Sequence, residues 1–251
     1  MDRRTFLETS FKASAAATAL TCAKNTVSPS DYSGGHLAAR PGTPTASVAS
    51  GLITLGSGSR PDGYLYVPAN YVPTTSLPLI VSLHGAGGSA SGPMSLLQAY
   101  ADEFHFLQLS INSRGSTWDA IRGNYGPDTE VIDRSLRHVF EHCWVLPDRI
   151  TLEGFSDGAS YAIGTGITNG DLFSRVIAFS PGLVTATTPR GKPLFFVSHG
   201  VQDPTLPIQY SSRVIVPQLR SAGYTVDYRE FDGVHQVPPD IARAAMVWMT
   251  T

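Results

Sequence analysis

From Leu79 onward, short apolar runs bounded by Gly or Pro alternate with longer stretches in which apolar residues return every three or four positions. The first pattern suits strands buried on both faces and the second suits amphipathic helices, as expected where a crossover helix follows each strand of a parallel sheet. The pattern predicts strands over residues 52–54, 63–67, 79–83, 106–111, 150–154, 175–179, 194–198 and 226–230. It predicts helices over 95–103, 128–142, 157–168, 207–222 and 238–249, with Pro207 and Pro238 at two entries, where a missing N–H does little harm. The fold class is α/β: a mostly parallel eight-stranded sheet flanked by helices. Only about a dozen residues separate the strand ending at Phe179 from the one starting at Leu194, too few for a separate lid domain, so an open site is expected.

Composition excludes several classes. The 251-residue chain carries 18 basic and 20 acidic side chains, a near balance that argues against a polybasic nucleic-acid or membrane-surface protein. With 42% hydrophobic and 15% charged residues it can build one globular core. Cys22 and Cys143 are too few for a disulfide framework, and no Cys/His spacing suits a zinc site, so neither bridges nor a structural metal is expected to hold the fold. No apolar run approaches the roughly 20 residues that span a bilayer.

Residues 1–23, MDRRTFLETSFKASAAATALTCA, place two arginines ahead of Phe6-Leu7, a mildly apolar stretch and small residues that a peptidase could cut. The segment resembles a bacterial twin-arginine export signal, which implies a periplasmic or extracellular protein; the alternative is an ordinary alanine-rich helix start. Cys22 is a candidate lipid-anchor position, although Thr21 departs from the small residue expected before it. Residues 24–50, rich in Ser, Thr, Pro, Gly and Ala, read as a disordered linker, which leaves 51–251 as the folded domain.

The sharpest local signal is Gly154-Phe155-Ser156-Asp157-Gly158, between the run Ile150-Thr151-Leu152 and a helical stretch. A strand that turns abruptly into a helix strains and exposes its central residue, and flanking glycines remove the Cβ atoms that would collide there. Ser156 is the candidate nucleophile. Asp203 follows the run Leu194-Phe195-Phe196-Val197, and His235 follows the strand at 226–230, so one strand–helix unit separates each member from the next. In that order an imidazole at His235 can take the proton of Ser156, while the Asp203 carboxylate fixes its tautomer. The structural alternatives are an Asx turn at Asp203 before Pro204 and an ordinary loop histidine at His235.

A tetrahedral intermediate also needs donors for its oxygen anion. His84-Gly85-Ala86-Gly87-Gly88-Ser89 follows the strand at 79–83, so the N–H of Ala86 is one candidate and the N–H of Asp157 the other. The glycine loop lacks the Lys-Ser/Thr ending of a phosphate-binding loop. His84 reads as a turn residue and Cys143 as buried and inert. The Asp157 side chain either caps its helix or disfavours anionic substrates. Trp118, Asp119 and Tyr125 sit on a long loop on the same side, so Trp118 and Tyr125 are candidate pocket residues or simply a packed aromatic loop.

Four segments together, LHGAGGS at 83–89, GFSDGAS at 154–160, SHGVQDPTLPI at 198–208 and GVHQVPP at 233–239, resemble an α/β-hydrolase. The likeness is to lidless bacterial esterases of the phospholipase/carboxylesterase and polyhydroxybutyrate-depolymerase-like groups, over about 63–249. It implies cleavage of small or polymeric carboxylic esters through an acyl-enzyme, with Ser156, Asp203 and His235 as the triad and no cofactor. Asp157 stands where the family often has Gln, and Ala159 where it has a third glycine. The same triad serves a peptidase or amidase, and the scaffold also admits a non-catalytic binding module.

Overall fold

The computed structural model describes residues 29–57 and 59–251. The proposed export signal and Cys22 lie outside the described residues. Eight strands form one sheet in the order β1-β2-β4-β3-β5-β6-β7-β8. They are β1 Gly51–Leu55, β2 Gly63–Val67, β3 Leu77–Leu83, β4 Leu107–Ile111, β5 Val145–Phe155, β6 Arg175–Phe179, β7 Leu194–Gly200 and β8 Val226–Phe231. β2 pairs antiparallel with β1 and β4 at one edge, and β3 through β8 are parallel. The helices are α1 Ser91–Phe104, α2 Asp119–Arg122, α3 Pro127–His142, α4 Asp157–Thr168, α5 Ser212–Ser221 and α6 Pro239–Thr250.

Period-two alternation sends each strand's side chains to opposite faces; both faces are buried in the central strands, while the edge strands β1 and β8 stay partly exposed. Leu79, Val81 and Leu83 of β3 join Phe195 and Val197 of β7 in a core under α3, α4 and α5. Ile80 joins Ile177, Phe179 and Phe196 in a second core under α1 and α6. Among the described residues, no helix or strand lies between β6 and β7. No described helix is long and apolar enough to cross a membrane.

The expected tether at 24–50 needs correction over its described part. Pro29–Gly34 forms a 3-10 helix, and Leu37 and Ala39 are buried in the core under α3. Asp133 of α3 accepts from the Tyr32 hydroxyl at 2.9 Å and from the N–H groups of Ala38 and Ala39 at 2.7 Å. Asn169 accepts from Leu37 N–H and donates to the Gly35 carbonyl, both at 2.8 Å. Side chains of α3 and the end of α4 thus supply the backbone partners that the segment's own sequence cannot, so apolar periodicity was absent while order was not.

Candidate active site

Each functional side chain sits at the carboxyl end of a parallel strand, where crossover loops converge. Ser156 lies between β5 and α4 with φ 58° and ψ −120°. Its N–H donates to the Phe179 carbonyl at 2.9 Å, which fixes the turn to β6. The turn presses α4 against β3: a Cβ on Gly158 would stand 2.2 Å from the Leu83 carbonyl oxygen, so only glycine fits. Ser156 is largely buried and keeps 8% of its surface exposed.

The structure brings Ser156, Asp203 and His235 together. His235 Nε2 lies 2.8 Å from Ser156 Oγ, and His235 Nδ1 lies 2.6 Å from Asp203 Oδ2. With a neutral imidazole, the serine hydroxyl donates to Nε2 and Nδ1–H donates to the carboxylate. Phe155 packs against the imidazole with ring centroids 4.7 Å apart. Asp203 Oδ1 accepts from the N–H groups of Thr205 and Leu206, both at 2.8 Å. Burial pushes Asp203 upward, but Leu206, the His235 imidazole and Thr205 outweigh it and hold the carboxyl below the usual carboxylate range.

His199 was not singled out from sequence, although it stands in the SHG segment beside Asp203. Its Nε2 donates to the Leu206 carbonyl at 2.8 Å and lies 3.1 Å from Asp203 Oδ2. Its Nδ1 accepts from the Ser212 hydroxyl at 2.7 Å. Burial lowers its pKa, which favours the neutral form of this second histidine.

The loop after β3 faces the serine. Gly87 adopts φ 68°, a left-handed conformation that glycine tolerates, and its N–H donates to the Ser116 carbonyl at 2.6 Å. The N–H of Ala86 meets no acceptor among the described residues, and that of Asp157 is the first of α4, which has no intrahelical partner. His84 accepts from Ser113 N–H at 3.1 Å and donates to the Gly85 carbonyl at 2.7 Å, and burial lowers its pKa. Both ring nitrogens are committed to holding the loop.

Trp118 and Tyr125 are not brought to the cavity beside the serine. Trp118 is fully buried, stacks on Tyr161 at 5.1 Å and donates its indole N–H to the His84 carbonyl at 2.8 Å. Tyr125 is buried against Thr185, with 3.0 Å between hydroxyls. Asp119 and Asp128 turn this loop inward by accepting its backbone N–H groups, from Gly126 and Asp128 and from Arg114 and Asp119 respectively. The aromatic loop therefore braces the glycine loop from behind. Asp157 carries a different contact: its Oδ2 accepts from the Thr117 hydroxyl at 2.6 Å.

A cavity of about 450 Å³ opens beside the histidine, lined by Gly85, Ala86, His235, Pro93, Leu96 and Phe155 among others. Glu153 also lines it, although its side chain is fully buried. Among the described residues no cluster of His, Cys, Asp and Glu could hold a metal ion. Cys143 is buried, and desolvation pushes its thiol up to about 12.

Sheet order, the strained serine and the converging loops define an α/β-hydrolase. Residues 104–247, more than half of the chain, match the family described as Phospholipase/Carboxylesterase, and the chain belongs to that family of ester-cleaving serine hydrolases. Among solved structures it is similar to esterase PE8, with 20% identity, a TM-score of 0.59, and 82% of this chain and 99% of that one covered. It is similar to the fluorophosphonate-binding serine hydrolase FphF of Staphylococcus aureus, at 15% identity, TM-score 0.62, and coverage of 81% and 100%. The Bacillus cereus carboxylesterase gives 17%, 0.57, and 74% and 92%. At these identities the likeness is one of fold. No curated protein matches the sequence.

Proposed function

We propose that the protein hydrolyses carboxylic esters through an acyl-enzyme on Ser156. The reading is carried by one observation: a strained serine whose Oγ is 2.8 Å from His235 Nε2, with Asp203 2.6 Å from the other ring nitrogen. As Ser156 Oγ bonds to the ester carbonyl carbon, its proton passes to His235 Nε2. The carbonyl oxygen becomes an anion and accepts from the N–H groups of Ala86 and Asp157, each such donor being worth about 2.7–4 kcal/mol in the transition state. Collapse expels the alcohol, which takes the proton from His235. Water then attacks the acyl group, giving its proton to the same nitrogen, and the acid leaves as Ser156 recovers its hydrogen. Asp203 stabilises the imidazolium in both halves without being protonated.

The test is turnover of short p-nitrophenyl esters and matching anilides by wild type and Ser156→Ala. The proposal expects ester cleavage to fall by about 10⁴-fold or more in the variant. Faster cleavage of anilides would make the protein an amidase, and ester turnover that survives in Ser156→Ala would overturn the assignment. The same reading takes residues 1–23 as an export signal removed from the mature enzyme. N-terminal sequencing of protein recovered outside the cytoplasm checks this, and an intact Met1 there contradicts it.

A further inference from the structure

The cavity beside His235 has an inner end that ester hydrolysis alone does not require. Its sides are the apolar Pro93, Leu96, Phe155 and Val237, yet Glu153 of β5 lines it with a fully buried side chain. No hydrogen bond of good geometry reaches either carboxyl oxygen of Glu153 or Ser82 Oγ, although that hydroxyl, opposite in register on β3, is near enough to lower the Glu153 pKa. Ser110 on β4 continues the same row, so three polar residues cross the face that otherwise carries Ile177 and Phe196. Buried polar atoms are almost always satisfied, and an unpartnered carboxyl at the end of an apolar pocket calls for a ligand atom. Desolvation lifts Glu153 to about 8, opposed by nearby Ser82, so at neutral pH its acid form both donates and accepts.

We propose that Glu153 is a specificity-determining residue that recognises a hydrogen-bond donor, a hydroxyl or an ammonium group, near the far end of the substrate chain lying in this cavity. The inference rests on the esterase reading. Glu153 precedes Ser156 by three residues, roughly 10 Å along an extended strand, which suits a donor about five or six carbons from the ester carbonyl. Pro93 and Leu96 of α1, Phe155 and Val237 hold the intervening methylenes. A purely alkyl chain of that length would leave the carboxyl buried and unpaired.

The experiment compares kcat/KM for the p-nitrophenyl esters of hexanoate, 6-hydroxyhexanoate and 6-aminohexanoate in wild type, Glu153→Gln and Glu153→Leu. Ratios within one preparation cancel the fraction of folded enzyme. Wild type is expected to favour a donor-bearing ester by about tenfold, and Glu153→Leu to reverse the order. Glu153→Gln keeps a preference for the hydroxyl and loses one for the ammonium, which tells the two donors apart. Preference of wild type for hexanoate, or one ratio shared by wild type and Glu153→Leu, overturns the inference. A flat ratio alongside an inactive Ser156→Ala defeats this inference alone, whereas full activity in Ser156→Ala defeats the catalytic reading beneath it.

Discussion

Two buried carboxyls flank the serine, and the fold treats them in opposite ways. Burial pushes Asp203 up, but the N–H groups of Leu206 and Thr205 and the imidazole of His235 outweigh it and hold the carboxyl below the ordinary carboxylate range, with His199 Nε2 3.1 Å away. Glu153 has no hydrogen bond of good geometry to either oxygen, and burial, opposed only by nearby Ser82, lifts it to about 8. Burial alone does not set the charge of a carboxyl; the number of donors aimed at it does. One site is built around an anion, the other around a neutral acid.

That contrast breaks first at Asp203. Asp203→Asn keeps the shape but offers His235 a donor where an acceptor is needed, so steady-state kinetics should show kcat down by about 10⁴-fold. A loss below tenfold would mean that the acid does not fix the tautomer.

The next largest effect falls on stability. The folded chain keeps the Glu153 proton up to about pH 8, whereas the unfolded chain releases it near 4.5. Between these values the unfolded state binds fewer protons, so wild-type stability declines as pH rises through the window and levels off above it, by about 3–5 kcal/mol. Urea titrations of Glu153→Gln should lack this decline; parallel curves for the two proteins would refute it. Asp203 acts with the opposite sign: its contribution is present above the ordinary carboxylate range and is lost as pH falls below it.

A smaller effect separates the donors around Asp203. His199→Phe removes the N–H shared between the Leu206 carbonyl and the acid, and kcat should fall about tenfold with the acidic limb of the pH–rate profile moved upward. His199→Gln, which can still donate, should restore most of both. An unmoved pH limb would reduce His199 to packing.

The smallest effect concerns Asp157, whose carboxylate is held by Thr117 beside the serine. If its charge filters substrates, Asp157→Asn should raise the rate on carboxylate-bearing esters relative to neutral ones by a few-fold, about 1 kcal/mol or less at a solvated site. An unchanged ratio leaves the carboxylate as Thr117's acceptor in the first turn of α4.

Much of this architecture was readable from residue order. All eight strands lie within their predicted neighbourhoods, most sharply the central ones, where Val, Ile, Leu and Phe runs buried on both faces leave a continuous signal. Ser156, Asp203 and His235 were legible because each follows such a run at the same end of its strand. The segment at 32–48 was not, since its order comes from donors and acceptors on Asp133 and Asn169, about 95–134 residues away in sequence. Trp118 and Tyr125 were placed on the correct loop, but Asp119 and Asp128 turn it inward, which periodicity cannot reveal. Glu153 did leave a trace: a lone acid inside Ile150-Thr151-Leu152-Glu153-Gly154-Phe155, a strand with no reason to carry charge.

The most direct test of the catalytic assignment is covalent capture. Exposed to an alkyl fluorophosphonate and mapped by peptide mass spectrometry, the enzyme should carry one phosphonyl group on Ser156, absent in Ser156→Ala and formed about 10³-fold more slowly in His235→Ala. An adduct on any other residue, or a labelling rate indifferent to His235, would contradict the account.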